Sequence, residues 1–316
     1  MHIPDGFLNG GTSLGGGVMA VGGVAYGIRR TKAMLADRAI ALAGLVSAYV
    51  FAVQMLNFPV AAGTSGHVLG GTLAAVLVGP WVGALCVAVV VGVQALVFAD
   101  GGLSALGLNV VNIALVGALG GYLVFWAVVR AAGHTRRGVL VAVAVSSWCA
   151  PVMAAVAFTI EYAVGGYGTV ALKTVLVAMV GVHSLIGVGE AVITTMTVAA
   201  VLASRPDLVF GARRIRADAG PAPAGRRPIL VFSVIAVAIT ALVVLGATRF
   251  ASTKPDGLEK VAASTGIGTD VAADSTDTGV DRVETSVGAI VIAGAVVVGG
   301  LGGLGLLRRR SIQVFV

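Results

Sequence analysis

The chain has 316 residues, of which 58% are apolar and only 11% charged, with 46 glycines and a net charge of +7. Soluble domains carry about 25% charged residues, and uncharged apolar runs of about 20 residues have the length that crosses a bilayer. The composition therefore excludes a soluble enzyme, a disordered chain and a disulfide-stapled secreted domain, and predicts an all-α polytopic membrane protein.

In chain order, the opening MHIPDGF lacks the basic region and apolar core of a signal peptide, so these residues are expected to be retained. A first span over Leu14–Ile28 is followed by Arg29, Arg30, Lys32 and Arg38. Lysine and arginine mark the cytoplasmic side, which puts Met1 outside. Ala39–Phe58 returns outward to Pro59. After the loop AAGTSG comes a short apolar stretch, His67–Val78, about 18 Å long as a helix. It is a shallow tilted helix or re-entrant, and it counts as a span because the parity of the later basic clusters then holds. Trp81–Phe98 runs outward, Leu106–Val129 inward to Arg130, Arg136 and Arg137, and Gly138–Ile160 outward to EYAVGGYG. Val170–Ala203 is too long for one simple span. It is expected to combine an interfacial segment with a helix from about Val180 that ends inside at Arg205.

Residues 206–228 are rich in arginine, proline, glycine and alanine and read as a cytoplasmic linker. Two further spans, Ile229–Thr248 and Val287–Leu307, flank a polar, acidic external loop, and Arg308, Arg309 and Arg310 close the second. The expected organisation is a seven-helix permease domain (1–205), the linker (206–228) and a two-helix transmembrane hairpin (229–316). The N-terminus is external and the C-terminus cytoplasmic. On this arrangement 16 of the 21 Lys and Arg residues are cytoplasmic and ten of the 14 Asp and Glu residues external. The basic balance is thus a topology signal and does not point to nucleic acid. The pairs Gly23/Gly27 and Gly299/Gly303 allow close helix approach, either within the chain or against a partner subunit. Cys86 and Cys149 fall in apolar runs and read as buried thiols.

No phosphate-binding loop is visible: Gly168–Thr174 lacks the second glycine of G-x-x-x-x-G-K-[ST]. HExxH, CxxC and the nucleophile elbow are missing too, so the chain is not expected to be an enzyme. If transport is ATP-driven, the ATPase is a separate chain.

The histidines carry the chemistry. His134 falls in a basic loop and reads as solvated. A terminal amine, the next amide nitrogen and an imidazole on residue 2 can chelate one metal through fused rings, so Met1 and His2 offer three nitrogens. Late divalent ions such as Ni(II) and Cu(II) favour tetragonal nitrogen sites of this kind, and one more nitrogen would complete a square plane. His67, on the same predicted face as Met1, is either a helix-start histidine bonded to backbone or a ligand. His183 and Glu190 are two helical turns apart on one face. Ionisable groups within a span are functional candidates, and these two form either part of a pathway or a buried polar network that holds helices in register. The amide pairs Gln54/Asn57 and Asn109/Asn112, each i, i+3 on one helix face, either orient imidazoles from behind or bridge helices.

Four ordered motifs, MHIPDGFL, TSGH ending at His67, GLNVVNIALVG and VHSLIGVGEAVITT, resemble the cobalt/nickel substrate-binding permease of energy-coupling-factor transporters, the CbiM/NikM family. The resemblance covers about residues 1–205. TKPDGLEKVA at Thr253–Ala262 resembles the PDGLE domain, a small accessory membrane component of nickel or cobalt systems, fused here through the arginine-rich linker. The resemblance implies a seven-helix permease in the plasma (inner) membrane, its N-terminus buried from the outside. It implies a metal site of the Met1 amine, the backbone nitrogen and imidazole of His2, and the imidazole of His67, and carries no metal role to His183 or Glu190. The implied partners are a transmembrane scaffold subunit and two cytoplasmic ATPases, whose action topples the permease in the bilayer to present the ion inward. No cofactor beyond the transported Ni2+ or Co2+ is expected. A planar site with an amide nitrogen tilts the choice toward nickel. Neutral imidazole is required, so affinity is expected to fall below about pH 6.5. The hairpin is expected either to stabilise the loaded permease, its acidic residues (Asp256 and Glu259 among them) raising the local cation concentration, or to act as a spacer. Two other functions fit the same residues. One is a membrane metal sensor or assembly factor that does not transport; the other is a proton-coupled secondary transporter using the His183/Glu190 face.

Overall fold

The computed structural model describes residues 1–31, 37–60, 65–167, 170–213 and 254–266. Among them the helices in chain order are α1 (Gly10–Thr31), α2 (Asp37–Gln54), α3 (Gly71–Val78), α4 (Pro80–Val97), α5 (Leu106–Ala132), α6 (Arg136–Gly165), α7 (Leu172–Ser204) and α8 (Gly257–Thr265). A two-residue antiparallel ribbon, Phe58–Pro59 with Ser65–Gly66, lies between α2 and α3. Four helices, α4 to α7, are long and apolar enough to cross a membrane, and α2 holds a shorter apolar stretch, Ile40–Gln54. Large apolar side chains such as Leu96, Leu123, Ile160, Val177 and Met196 face outward, a surface suited to lipid and not to water.

The four long spans fall where the apolar runs predict them, with two differences. Helix α6 continues past Ile160 to Gly165, which draws Glu161 into the packed helix. The Val170–Ala203 stretch is not divided: α7 is one helix of 33 residues, about 50 Å long. It exceeds a hydrocarbon core of about 30 Å, and the start of α8 packs on it at Val182, His183 and Ile186.

The His67–Val78 stretch is not one transmembrane helix. His67 to Gly70 are non-helical and buried, and only then does α3 form, with eight residues and a length of about 12 Å. Gly70 adopts φ +72°, a left-handed conformation that starts the helix late. Non-helical backbone in an apolar body is tolerated only where protein groups satisfy its N–H and C=O groups. Here Glu190 of α7 accepts from the Leu69 N–H (2.9 Å) and the Gly70 N–H (3.0 Å). The Gln54 side-chain amide donates to the Leu69 carbonyl (2.5 Å). Helix α3 is enclosed over Gly71–Leu77, and a Cβ on Gly71 would lie 2.5 Å from the Gly117 carbonyl carbon of α5, so the two backbones touch. Over Val110–Gly120 α5 carries π-type i→i+5 hydrogen bonding, a wide form that is uncommon beyond one turn and recurs at functional sites.

Gly23 and Gly27 seat α1 on Leu115 of α5 and on Leu85 and Trp81 of α4. This pair therefore serves packing within the chain. Because α2 ends at Gln54, Asn57 lies beyond the helix and does not share a face with Gln54. Cys86 is buried as expected, whereas Cys149 is half-buried; both are free thiols. At the end of the bundle away from Met1, Phe210 packs on Gly79. Arg213 stacks 3.4 Å over the Phe210 ring, and Arg205 grips Asp207 through two 2.8 Å bonds. The packed body thus continues to Ala212, past the boundary expected at 205. Gly299/Gly303, the spans Ile229–Thr248 and Val287–Leu307, and most of the 206–228 stretch lie outside the described residues.

Glu190→Ala would leave two buried N–H groups without an acceptor, each costing about 1–3 kcal/mol. The expected result is a loss on the order of 3 kcal/mol, read as a lower unfolding midpoint of the detergent-solubilised chain. An unchanged midpoint would contradict the role given to this carboxylate.

Candidate metal centre

The first eight residues fold back into the helical body, and Met1, His2, Ile3, Phe7 and Leu8 are all buried. Three devices hold them. The Ile3 N–H donates to Asn109 Oδ1 (2.7 Å), and the Ile3 carbonyl accepts from Asn109 Nδ2 (3.1 Å) and from the Gly102 N–H (2.8 Å). Asp5 accepts from the Leu103 N–H (3.2 Å), the Ser104 N–H (2.7 Å) and the Ser104 hydroxyl (2.5 Å). Gly102 lets the two loops touch: a Cβ there would lie 2.3 Å from the Asp5 nitrogen. Farther along, the Asn9 N–H donates to the Gly165 carbonyl (2.8 Å) at the end of α6.

This anchoring delivers Met1 and His2 to His67. The Met1 amine nitrogen lies 2.5 Å from His67 Nε2. His67 Nδ1 donates to the Val68 carbonyl (3.2 Å), which leaves Nε2 as the lone-pair nitrogen facing the amine. The His2 ring stacks on the His67 ring with centroids 5.0 Å apart and 16° between planes. His2 Nδ1 sits 3.2 Å from Asp100, and its Nε2 is buried with no hydrogen-bond partner among the described residues.

A further group arrives from a distant part of the chain. Asp256 Oδ2 lies 3.1 Å from the Met1 amine. Asp256 is the N-cap of α8: it accepts from the Glu259 N–H (2.8 Å), while Glu259 accepts from the Asp256 N–H (2.9 Å), a reciprocal capping box. Two bonds from Ser65 fasten the approach to this helix, from its N–H to the Pro255 carbonyl (3.0 Å) and from its hydroxyl to the Lys254 carbonyl (2.6 Å).

Burial raises the Asp256 carboxyl, but the Met1 ammonium beside it, with the Glu259 N–H bond, prevails and holds it well below the ordinary carboxylate range. Burial likewise opposes ionisation of Asp100, and the neighbouring His2 overcomes it and holds that carboxyl low. Two ionised carboxylates therefore flank the cluster of nitrogens.

The other polar residues singled out in the sequence are placed around backbone. Asn109 clamps Ile3, while Gln54 and Glu190 pair the non-helical stretch after His67. Asn112 donates to Glu161 (2.8 Å), and Asn57 is half-buried past the end of α2. His183 is fully buried; its Nδ1 donates to the Met179 carbonyl (2.8 Å) and its Nε2 has no hydrogen-bond partner among the described residues. No hydrogen bond among the described residues joins His183 to Glu190. Sequence reading gave no individual role to Asp5, Asp100 or Asp256. The D-x-x-E spacing of Asp256 and Glu259 does signal a helix start, but nothing local ties it to Met1.

Among the described residues, no group of three or more His, Cys, Asp and Glu side chains has the spacing of a metal cage. The donors gathered here are of another kind: an amine, the adjoining amide nitrogen and two imidazoles. The 2.5 Å separation of amine and Nε2 is close to the about 2.8 Å expected between neighbouring donors on one ion at about 2.0 Å from each. Such a set suits a four-nitrogen plane.

Residues 2–208 match the family model described as the cobalt uptake substrate-specific transmembrane region. A protein of Archaeoglobus fulgidus, provisionally named a fused nickel transport protein, is 40% identical, covering 66% of this chain and 68% of its own length. The cobalt transport protein CbiM of Geobacter sulfurreducens is 33% identical over 84% of this chain and 79% of its own. A crystal structure of a truncated transition metal transporter superposes with a TM-score of 0.58 at 28% identity, covering 64% of this chain and 99% of that one.

Asp5 provides a pH test of the N-terminal anchor. Burial raises its carboxyl, yet the bonds from Ser104 and Leu103 outweigh this and set it below the ordinary 3.8. A lowered carboxyl stabilises the fold above its ordinary value and loses that contribution as pH falls through the shifted one. Hydrogen exchange of the amides around Ile3 should be about tenfold faster in Asp5→Ala at pH 7. Wild type and variant should converge only in acid below pH 3.8.

Proposed function

The chain belongs to the cobalt uptake substrate-specific transmembrane family, and from that premise we propose that it is the substrate-binding membrane subunit of an importer for nickel or cobalt ions. Members of this family are metal-transport components, not enzymes. In the proposed cycle the permease captures one divalent ion at the external face. A transmembrane scaffold subunit and two cytoplasmic ATPases of the energy-coupling-factor type then drive its inward presentation.

The observation that carries the reading is the buried approach of the Met1 amine to His67 Nε2, with the His2 ring stacked alongside. In the proposed site the Met1 amine and the His2 amide nitrogen close a five-membered chelate ring. His2 Nδ1, once released from Asp100, closes a six-membered one, and His67 Nε2 is the fourth donor. Each donor must give up any proton it carries, so ion binding releases protons. A deprotonated amide in a plane of nitrogens favours nickel on ligand-field grounds.

The arginines support an external N-terminus. Arg29 and Arg30 end α1, Arg130 ends α5, Arg136 and Arg137 begin α6, and Arg205 follows α7. All lie at the end of the bundle away from Met1, the distribution expected of a cytoplasmic side in the plasma membrane. Backbone bonding of His183 and Glu190 favours an ATP-coupled importer over a proton-coupled one, because neither side chain hands a proton donor to the other. In this reading the permease extends to Ala212, and the linker and the accessory hairpin follow it.

Two changes test the ligand set. A short peptide fused ahead of Met1 should abolish tight Ni2+ and Co2+ binding, measured by competition against a chelator, while a C-terminally tagged chain binds normally. Equal binding by both forms would overturn the assignment. His67→Ala should weaken binding on the order of 100-fold or more, beyond the 10- to 100-fold typical of residues behind the ligands.

A further inference from the structure

We propose that Asp256 is a positioning residue of the metal centre. It holds the Met1 amine against His67 and remains the acceptor for that amine when the ion is bound, so the C-terminal part of the chain completes the site. This rests on the reading of Met1, His2 and His67 as ligands.

The Met1 side chain is 1% exposed, and the Asp256 side chain 3.1 Å from the amine is 13% exposed. A buried amine with several N–H donors needs acceptors. His67 Nε2 faces it on one side and Asp256 Oδ2 on another. When an amine coordinates an ion it uses its lone pair and keeps N–H bonds that still need an acceptor. The carboxylate at 3.1 Å meets that need without leaving its place.

The position of this carboxylate is built. Its other oxygen is tied to the first turn of α8 through the Glu259 N–H. The apolar face of α8 (Leu258, Val261, Ala262) is buried. Gly257 lets the helix start lie flat on α7, where a Cβ would meet Ile186 at 2.9 Å and His183 at 3.1 Å. Ser65, two residues before His67, fastens the strand leading into α8. The same short segment thus binds the loop that carries one ligand and the amine that supplies another. Charge fits as well: a divalent ion on one deprotonated amide leaves one positive charge in a low-dielectric pocket, and Asp256 is a fixed negative charge next to it.

The simpler alternative is that Asp256 only caps α8. Asparagine and serine are both strong N-caps, so Asp256→Asn and Asp256→Ser separate the two roles. In the full-length detergent-solubilised chain, both variants should keep α8 capped and remain folded without the ion. Both should bind Ni2+ 10- to 100-fold more weakly in chelator competition, the range for residues that orient metal ligands, and lose the ion faster to excess chelator. Binding within about threefold of wild type in either variant, while the unmodified chain binds tightly, would overturn this proposal alone. An unmodified chain that takes up no Ni2+ would overturn the ligand assignment and this inference with it.

Discussion

A buried carboxylate holding two backbone N–H groups is the constraint on which the site depends. The chain after His67 runs non-helical through the interior before α3 begins, and such backbone does not pair its own polar groups as a helix does. Glu190 and Gln54 supply the missing partners. Without them this stretch would be driven to close into helix or to leave the apolar interior, and His67 would leave the position where Met1 meets it. The enclosure of α3 and its backbone contact with α5 at Gly71 follow from the same geometry, because a short helix with no room around it cannot slide.

The N-terminal loop obeys the complementary rule. Its first residues are polar or charged at one end and apolar in the middle, and each is matched by a group already fixed in the body: Asn109 for the Ile3 backbone, Ser104 for Asp5, Asp256 for the amine. The cluster of nitrogens is therefore assembled on rigid elements. Its local charge is balanced by two carboxylates, Asp100 and Asp256, that come from different loops.

Much of this is legible in the sequence. Spans α4 to α7 announce themselves by length and composition, and the arginine clusters fall together because topology requires it. Met1, His2 and His67 stand out because fused-ring chelation depends on position 2, and the resemblance supplied the fourth nitrogen. What failed to show has a common cause. An apolar run such as His67–Val78 reads the same whether its backbone is helical or non-helical and buried, and only the Gly70–Gly71 pair hints at the break. The i, i+3 spacing of Gln54 and Asn57 suggests one helix, but the helix stops at Gln54. Glu190 and Asp256 act on residues 121 and 255 positions away, beyond the reach of any local pattern.

Those separations have a consequence for how the molecule forms. Contacts between residues far apart in sequence close after local ones, because the entropy of the intervening loop must be overcome first. The helices can insert and pair by neighbouring contacts, yet the amine meets His67 across 66 residues and Asp256 across 255. On the proposed ligand set, competence to hold an ion is thus the last property such a chain acquires. A partly assembled molecule sits in the membrane fully spanned but chemically blank.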